Sequence, residues 1–114
     1  MLGKKIYLQP AATVLNAVND LIEIQKASIT FTDTPNGRIF FTIEMYGFKK
    51  ELRFTIMDVG KNRCQTQIEA SGEVKDREKL IRREFALLES MLTDVTRIEI
   101  EDMAGGQAAA PAND

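Results

Sequence analysis

The chain of 114 residues contains no histidine. That absence removes the Ser-His-Asp and Cys-His nucleophilic arrangements and the histidine-based zinc sites. Cys64 is the one cysteine, so no intramolecular disulfide can form and no secreted disulfide scaffold is implied. Its place in an alternating segment reads as a buried, inert thiol. The unbroken apolar runs are a few residues long, far short of the ~20 that a membrane-spanning helix needs. No signal-peptide h-region follows Lys4-Lys5, and a cytoplasmic location is the expectation. No G-x-G-x-x-G or Walker lysine pattern is present, nor the Asp-x-Asp spacing of a calcium loop. No cofactor, metal or catalytic residue is assigned on these grounds.

Charge of one sign is also lacking. Fifteen basic and 17 acidic residues leave a net charge of −2. Nucleic-acid binding requires a concentrated basic surface. Here the bases are interleaved with acids, as in Lys49-Lys50-Glu51 and Arg82-Arg83-Glu84, and no nucleic-acid partner is expected. The remaining composition, 44% apolar and 28% charged, is that of a soluble globular protein. A chain of this length can bury a real core.

Hydrophobic periodicity supplies the architecture. Residues 4–9 alternate as a short strand, with Ile6 and Leu8 on one face and Lys5, Tyr7 and Gln9 on the other. Pro10 suits a helix start. Ala11, Val14, Leu15, Val18, Leu21 and Ile22 then fall on one stripe of a helix over 11–25. Residues 27–33 alternate again, with Ile29 and Phe31 on one face. Asp33-Thr-Pro-Asn-Gly37 is a strong turn signal. The strand over 38–46 turns Ile39, Phe41, Ile43 and Met45 inward and Phe40, Thr42, Glu44 and Tyr46 outward. Gly47 opens a tight connection to a strand at 49–58 with Leu52, Phe54 and Ile56 inside. Residues 58–62 form a second hairpin turn. A strand over 63–71 follows, with Cys64, Thr66, Ile68 and Ala70 on one face. A second helix spans 75–93 with a broad apolar arc, and 95–101 alternate as a possible edge strand.

These elements give an α+β fold. A curved antiparallel four- to five-stranded sheet packs on a long C-terminal helix, with a shorter N-terminal helix beside it. One α+β domain covers 1–102, and a Gly/Ala-rich tail, expected to be flexible, covers 103–114.

The opening Tyr7-Leu8-Gln9-Pro10, followed by Val14 and Leu15 and then Asp20, resembles the helix-grip proteins of the START-like and polyketide cyclase-like type. The resemblance spans about 4–93 and is one of fold. Those proteins have about six strands after their helices and a second short helix, so this chain resembles a reduced version. The resemblance implies a non-catalytic binder of apolar ligands, and in some relatives a cyclase. No catalytic residue carries over on a matching motif.

The apolar arc of the second helix has three readings: core, homodimer contact, or one wall of a ligand pocket. Phe85, Leu88 and Met91 lie on that arc, and Glu84 lies at its border, positioned to pair with Arg53 or another base. Phe40, Tyr46, Phe48 and Met57 could form a second apolar patch at one end of the sheet. These eight residues are the pocket or interface candidates. The function expected is non-enzymatic, by self-association or protein binding. One alternative is a carrier of a small apolar ligand or lipid, with a cavity of at least ~300 Å³ between long helix and sheet. The other is a cyclase or isomerase working through Glu44, Glu69 or Glu84.

Overall fold

In the computed structural model, which describes residues 2–72, 74–92 and 98–100, the alternating segments pair into one antiparallel sheet. The strands are β1 (Leu2–Tyr7), β2 (Ser28–Asp33), β3 (Arg38–Met45), β4 (Phe48–Gly60), β5 (Arg63–Ala70) and β6 (Ile98–Ile100). The helices are α1 (Ala11–Ile24) and α2 (Val74–Met91). The curved sheet is ordered β2-β3-β4-β5-β1-β6. Strands β2 to β5 form the expected meander. The N-terminal strand inserts between β5 and β6, which raises the count to six. The expected tail at 103–114 lies outside the described residues.

Both helices cover one face of the sheet, and among the described residues no element covers the other, called here the open face. This is why the central strands alternate so cleanly. Ile39, Phe41 and Ile43 of β3, Leu52, Phe54 and Ile56 of β4, and Cys64 and Ile68 of β5 are buried beneath the helices. From α1 they meet Val14, Ala17, Val18, Leu21 and Ile22. From α2 they meet Leu80, Ile81, Phe85 and Leu88. Each such large side chain contributes about 1.5–3 kcal/mol by leaving water. The broad arc of α2 is therefore used by the core, with Leu87 and Met91 half-buried at its margin.

Three local readings change. First, a β-bulge interrupts β2. Ile29 opposes Phe41, Phe31 opposes Phe40, and Thr30 is the extra residue. A bulge shifts the alternation by one, so Ile29 lies on the helix face and Phe31 on the open face. Second, β1 ends at Tyr7, which is fully buried under α2, while Ile6 lies on the opposite face. Third, β4 continues to Gly60 through another bulge between Asp58 and Gly60, leaving Lys61 and Asn62 as the turn.

Pro10 has no side-chain acceptor for the first turn of α1, and Asp58 Oδ1 accepts from Ala11 N–H at 2.9 Å instead. A helix N-terminus is thus satisfied from a strand far along the chain. Gly37 holds φ +67°, and a Cβ there would collide with the Ile56 carbonyl oxygen. Its own carbonyl accepts from Ile56 N–H at 2.8 Å. Among the described residues, no helix is long and apolar enough to cross a membrane.

Candidate functional site

The β3–β4 hairpin turns on two residues, because Met45 opposes Phe48. Tyr46 has φ 54° and Gly47 φ 82°, the pair of left-handed residues that a type I′ turn requires. Glycine adopts this freely, but for tyrosine the conformation costs roughly 1–2 kcal/mol. The strained residue is 91% exposed, and Phe48 beside it is 68% exposed. Two aromatic rings therefore project at the hairpin tip.

Below the tip lies a half-open cleft of about 390 Å³, between the hairpin and the N-terminal half of α2. Its sheet side is Met45, Tyr46, Phe48 and Lys50; its helix side is Asp76, Lys79, Leu80 and Arg83. Three cations face one carboxylate, on a chain whose net charge is −2. Lys79 and Arg83 stand one turn apart and project to the same side. Among the described residues, no carboxylate pairs with Lys50 or Lys79.

Behind Arg83 sits Glu84, fully buried. Gln25 Nε2 donates to Glu84 Oε1 at 2.8 Å. Arg83 Nη1 donates to Glu84 Oε2 at 3.0 Å and to Gln25 Oε1 at 2.9 Å. Burial raises the Glu84 carboxyl above its ordinary range, and the Gln25 and Arg83 contacts oppose that rise. Glu84 does not line the cleft. Its partner is not Arg53, which pairs instead with Glu51 on the open face at 3.1 Å.

A second polar cluster joins β1 to α2. Tyr7 Oη donates to Glu89 Oε2 at 2.7 Å, and Lys5 Nζ donates to the same oxygen at 2.8 Å. The Lys5 ammonium also lies 4.9 Å from the centre of the Phe85 ring, a cation–π contact. Burial, then the Glu89 carboxylate, push the Tyr7 phenol far above its usual range. Cys64 opposes Tyr7 in the sheet, and burial pushes its thiol up to about 11. A thiol held protonated is a poor nucleophile. Both groups hold the fold together.

Of the eight candidate residues, the structure brings together Tyr46 and Phe48. Phe40 lies on the open face, 4.8 Å from Phe31 between ring centres. Met57, 41% exposed, borders a depression at the other end of the sheet with Ala11, Pro35 and Asp58. Phe85 and Leu88 are core, Met91 lies at the core margin, and Glu84 is enclosed. The side chains that sequence reasoning passed over are Lys50, Lys79, Arg83 and Asp76. The Lys79–Arg83 spacing is their one sequence signal. Glu44 and Glu69 are exposed on the open face. Among the described residues, no three acidic or cysteine side chains gather as a metal site.

No family model matches this chain, and no curated protein matches it.

Proposed function

We propose that this chain is a binding module, and that the cleft under the β3–β4 hairpin receives a segment of another protein that is acidic and partly apolar. The observation that carries the reading is the tip itself. A tyrosine held in a strained conformation and almost fully exposed, with an exposed phenylalanine beside it, is costly to stability and pointless to folding. Aromatic side chains at a surface are the usual anchors of protein contacts. The cations Lys50, Lys79 and Arg83 beside them give the cleft a sign, which selects for carboxylates and steers their approach. The chain elsewhere is net acidic, so a general attraction to anions is weak and the preference is local.

A smaller occupant fits the same chemistry. A cleft of about 390 Å³ falls in the range of small-molecule sites, ~300–1,000 Å³, and an apolar carboxylate would use the same rings and cations. The carboxylate-enzyme reading has less support, because Glu84 is sealed and Glu44 and Glu69 stand exposed on the open face.

Peptide display against the whole chain tests the proposal. Selected peptides should place Asp or Glu within a few residues of an aromatic or long aliphatic side chain. The double variant Lys50→Glu/Lys79→Glu should lose them at least tenfold, and binding should weaken as salt is raised. Peptides without acids, or binding indifferent to both Phe48→Ser and the charge reversal, would refute it. Titration with a medium-chain fatty acid separates the small-ligand reading.

A further inference from the structure

Arg83 faces two ways. Its Nη1 donates inward, to Glu84 Oε2 at 3.0 Å and to Gln25 Oε1 at 2.9 Å. Among the described residues, nothing accepts from its Nε or Nη2. The side chain lines the cleft beneath the hairpin and is 43% exposed. A guanidinium anchored at one nitrogen keeps its planar Nε–Nη2 edge, the two-donor fork that matches an oxyanion such as a carboxylate. Its anchors are firm, since Gln25 is the C-cap of α1 and Glu84 is fully buried on α2.

Few charges act on Glu84. Along α2, Leu80, Ile81, Leu87 and Leu88 stand one turn away on either side. From α1, Gln25 faces it. From β5, which packs against α2, the inner side chains are Cys64, Thr66, Ile68 and Ala70. Only the Cys64 thiol titrates among these, and it stays protonated to about 11. On β1, Lys5 and Tyr7 are taken by Glu89. Arg83 is the one charged group that acts on Glu84, and burial makes the carboxyl hold its proton to a higher pH than usual.

We propose that Arg83 is the residue by which the cleft holds an oxyanion, and that Glu84 behind it takes up a proton as the anion arrives. This rests on the cleft being the binding site. An anion on the outer edge of Arg83 and an ionised Glu84 on its inner nitrogen share one cation. The two negative charges then stand about 7–8 Å apart, which at effective dielectric constants of roughly 20–80 weakens the anion by about three- to thirtyfold. Protonation of Glu84 removes that repulsion and leaves Arg83 its full charge. By linkage, the bound anion favours the protonated Glu84 by the same factor. Binding is therefore tighter below the titration of Glu84 than above it. The chain has no histidine, the side chain that ordinarily titrates between about pH 5 and 8. Glu84 is thus the side chain placed to give the cleft a response there.

Calorimetric titration of the whole chain with octanesulfonate, from about pH 4.5 to 8, tests this. The probe has a fixed charge over that range and an apolar chain suited to Tyr46 and Phe48. Its affinity should fall at least about threefold as pH rises, and two buffers of different ionisation enthalpy should reveal proton uptake on binding. Octanol, uncharged, should bind without pH dependence. Glu84→Gln should bind octanesulfonate equally at every pH, and Asp76→Asn, which alters the other carboxylate of the cleft, should keep the native dependence. If Glu84→Gln fails to fold, Gln25→Ala is the second variant. It removes a bond that favours the ionised carboxyl, so the dependence should move to higher pH. Binding that ignores pH, or a dependence that survives Glu84→Gln, overturns the proposal and leaves the cleft as a binding site. Absence of octanesulfonate binding at every pH overturns it too, and peptide display then judges the cleft by itself.

Discussion

Replacing Glu84 by glutamine should change how stability depends on pH. In the native chain the carboxyl is raised above its ordinary value of 4.5, chiefly by burial. Between that value and the raised one, the folded chain holds a proton that the unfolded chain has released. Stability from this residue is therefore fully present below about pH 4.5 and falls as pH rises through the window. This is the reverse of the usual salt-bridged carboxylate. Two charge-assisted hydrogen bonds, from Gln25 and Arg83, return about 1.5–3 kcal/mol each. Removing the ion from water costs several kcal/mol. Arg83 is 43% exposed, so its attraction is screened and sits at the low end. Burial outweighs the two contacts, so ionisation in the folded chain is net unfavourable. Glutamine keeps the shape. Its carbonyl can accept from Arg83, but its amide faces the Gln25 Nε2 donor, so Gln25 must turn its oxygen inward and give up the bond from Arg83, a cost that does not vary with pH. Urea unfolding of both proteins at pH 4, 5, 6, 7 and 8 is the assay. The Glu84→Gln midpoint should gain steadily on the native one from the lowest to the highest pH. Parallel midpoints would refute the reasoning. So would a native chain that gains on the variant as pH rises, since that would mean Arg83 outweighs burial.

Tyr7→Phe should cost about 1–2 kcal/mol, because Glu89 loses a buried donor but keeps Lys5; an unchanged urea midpoint would contradict the cluster. Cys64, with its thiol at about 11 against an ordinary 9.0, should react with a disulfide reagent at pH 8 only as fast as the chain opens. Between those two values the unfolded thiol ionises first, so stability should fall as pH rises; fast native-state labelling would show an accessible thiolate. Gly37→Ala should cost more than 3 kcal/mol, since the new Cβ meets the Ile56 carbonyl, whereas Gly47→Ala has open space and only the φ penalty of about 1 kcal/mol; equal melting temperatures would remove the distinction. Tyr46→Asn should raise stability by up to about 1 kcal/mol, asparagine being at ease in a type I′ turn, while weakening peptide binding at the cleft. A gain in both properties would argue that Tyr46 is not an anchor.

The central strands are legible in the sequence because the sheet is covered on one face. Burial then repeats every second residue, as at Ile39-Phe41-Ile43 and Leu52-Phe54-Ile56. The stripe of α1 is legible for the same reason at helical spacing. The faces of β2 are not. A bulge adds one residue without any glycine or proline to mark it, and Thr30 looks like its neighbours. The inward turn of Tyr7 is hidden too. Its hydroxyl can be buried only because Glu89, 82 positions later, accepts from it. The cleft is hidden by the same logic. Tyr46 and Phe48 are conspicuous, but the cations beside them come from another element. Only tertiary packing brings Lys79 and Arg83 to the hairpin.

The location of the surplus apolar surface decides where function can reside. From the sequence, α2 carries more apolar surface than a lid on a small sheet needs. In the folded chain that excess is absorbed: Leu80, Ile81, Phe85 and Leu88 are all buried. Among the described residues, the large apolar groups left in water are Ile24, Ile29, Phe31, Tyr46, Phe48, Met57 and Val59, and none of these belongs to α2. Four of them, Ile29 and Phe31 on β2 and Tyr46 and Phe48 at the hairpin, fall into two groups at the margin of the sheet. A core substitution in α2 should therefore lower stability without altering binding, because its side chains are spent on the interior. Tyr46→Asn and Phe48→Ser should do the opposite, because both side chains stand largely in water.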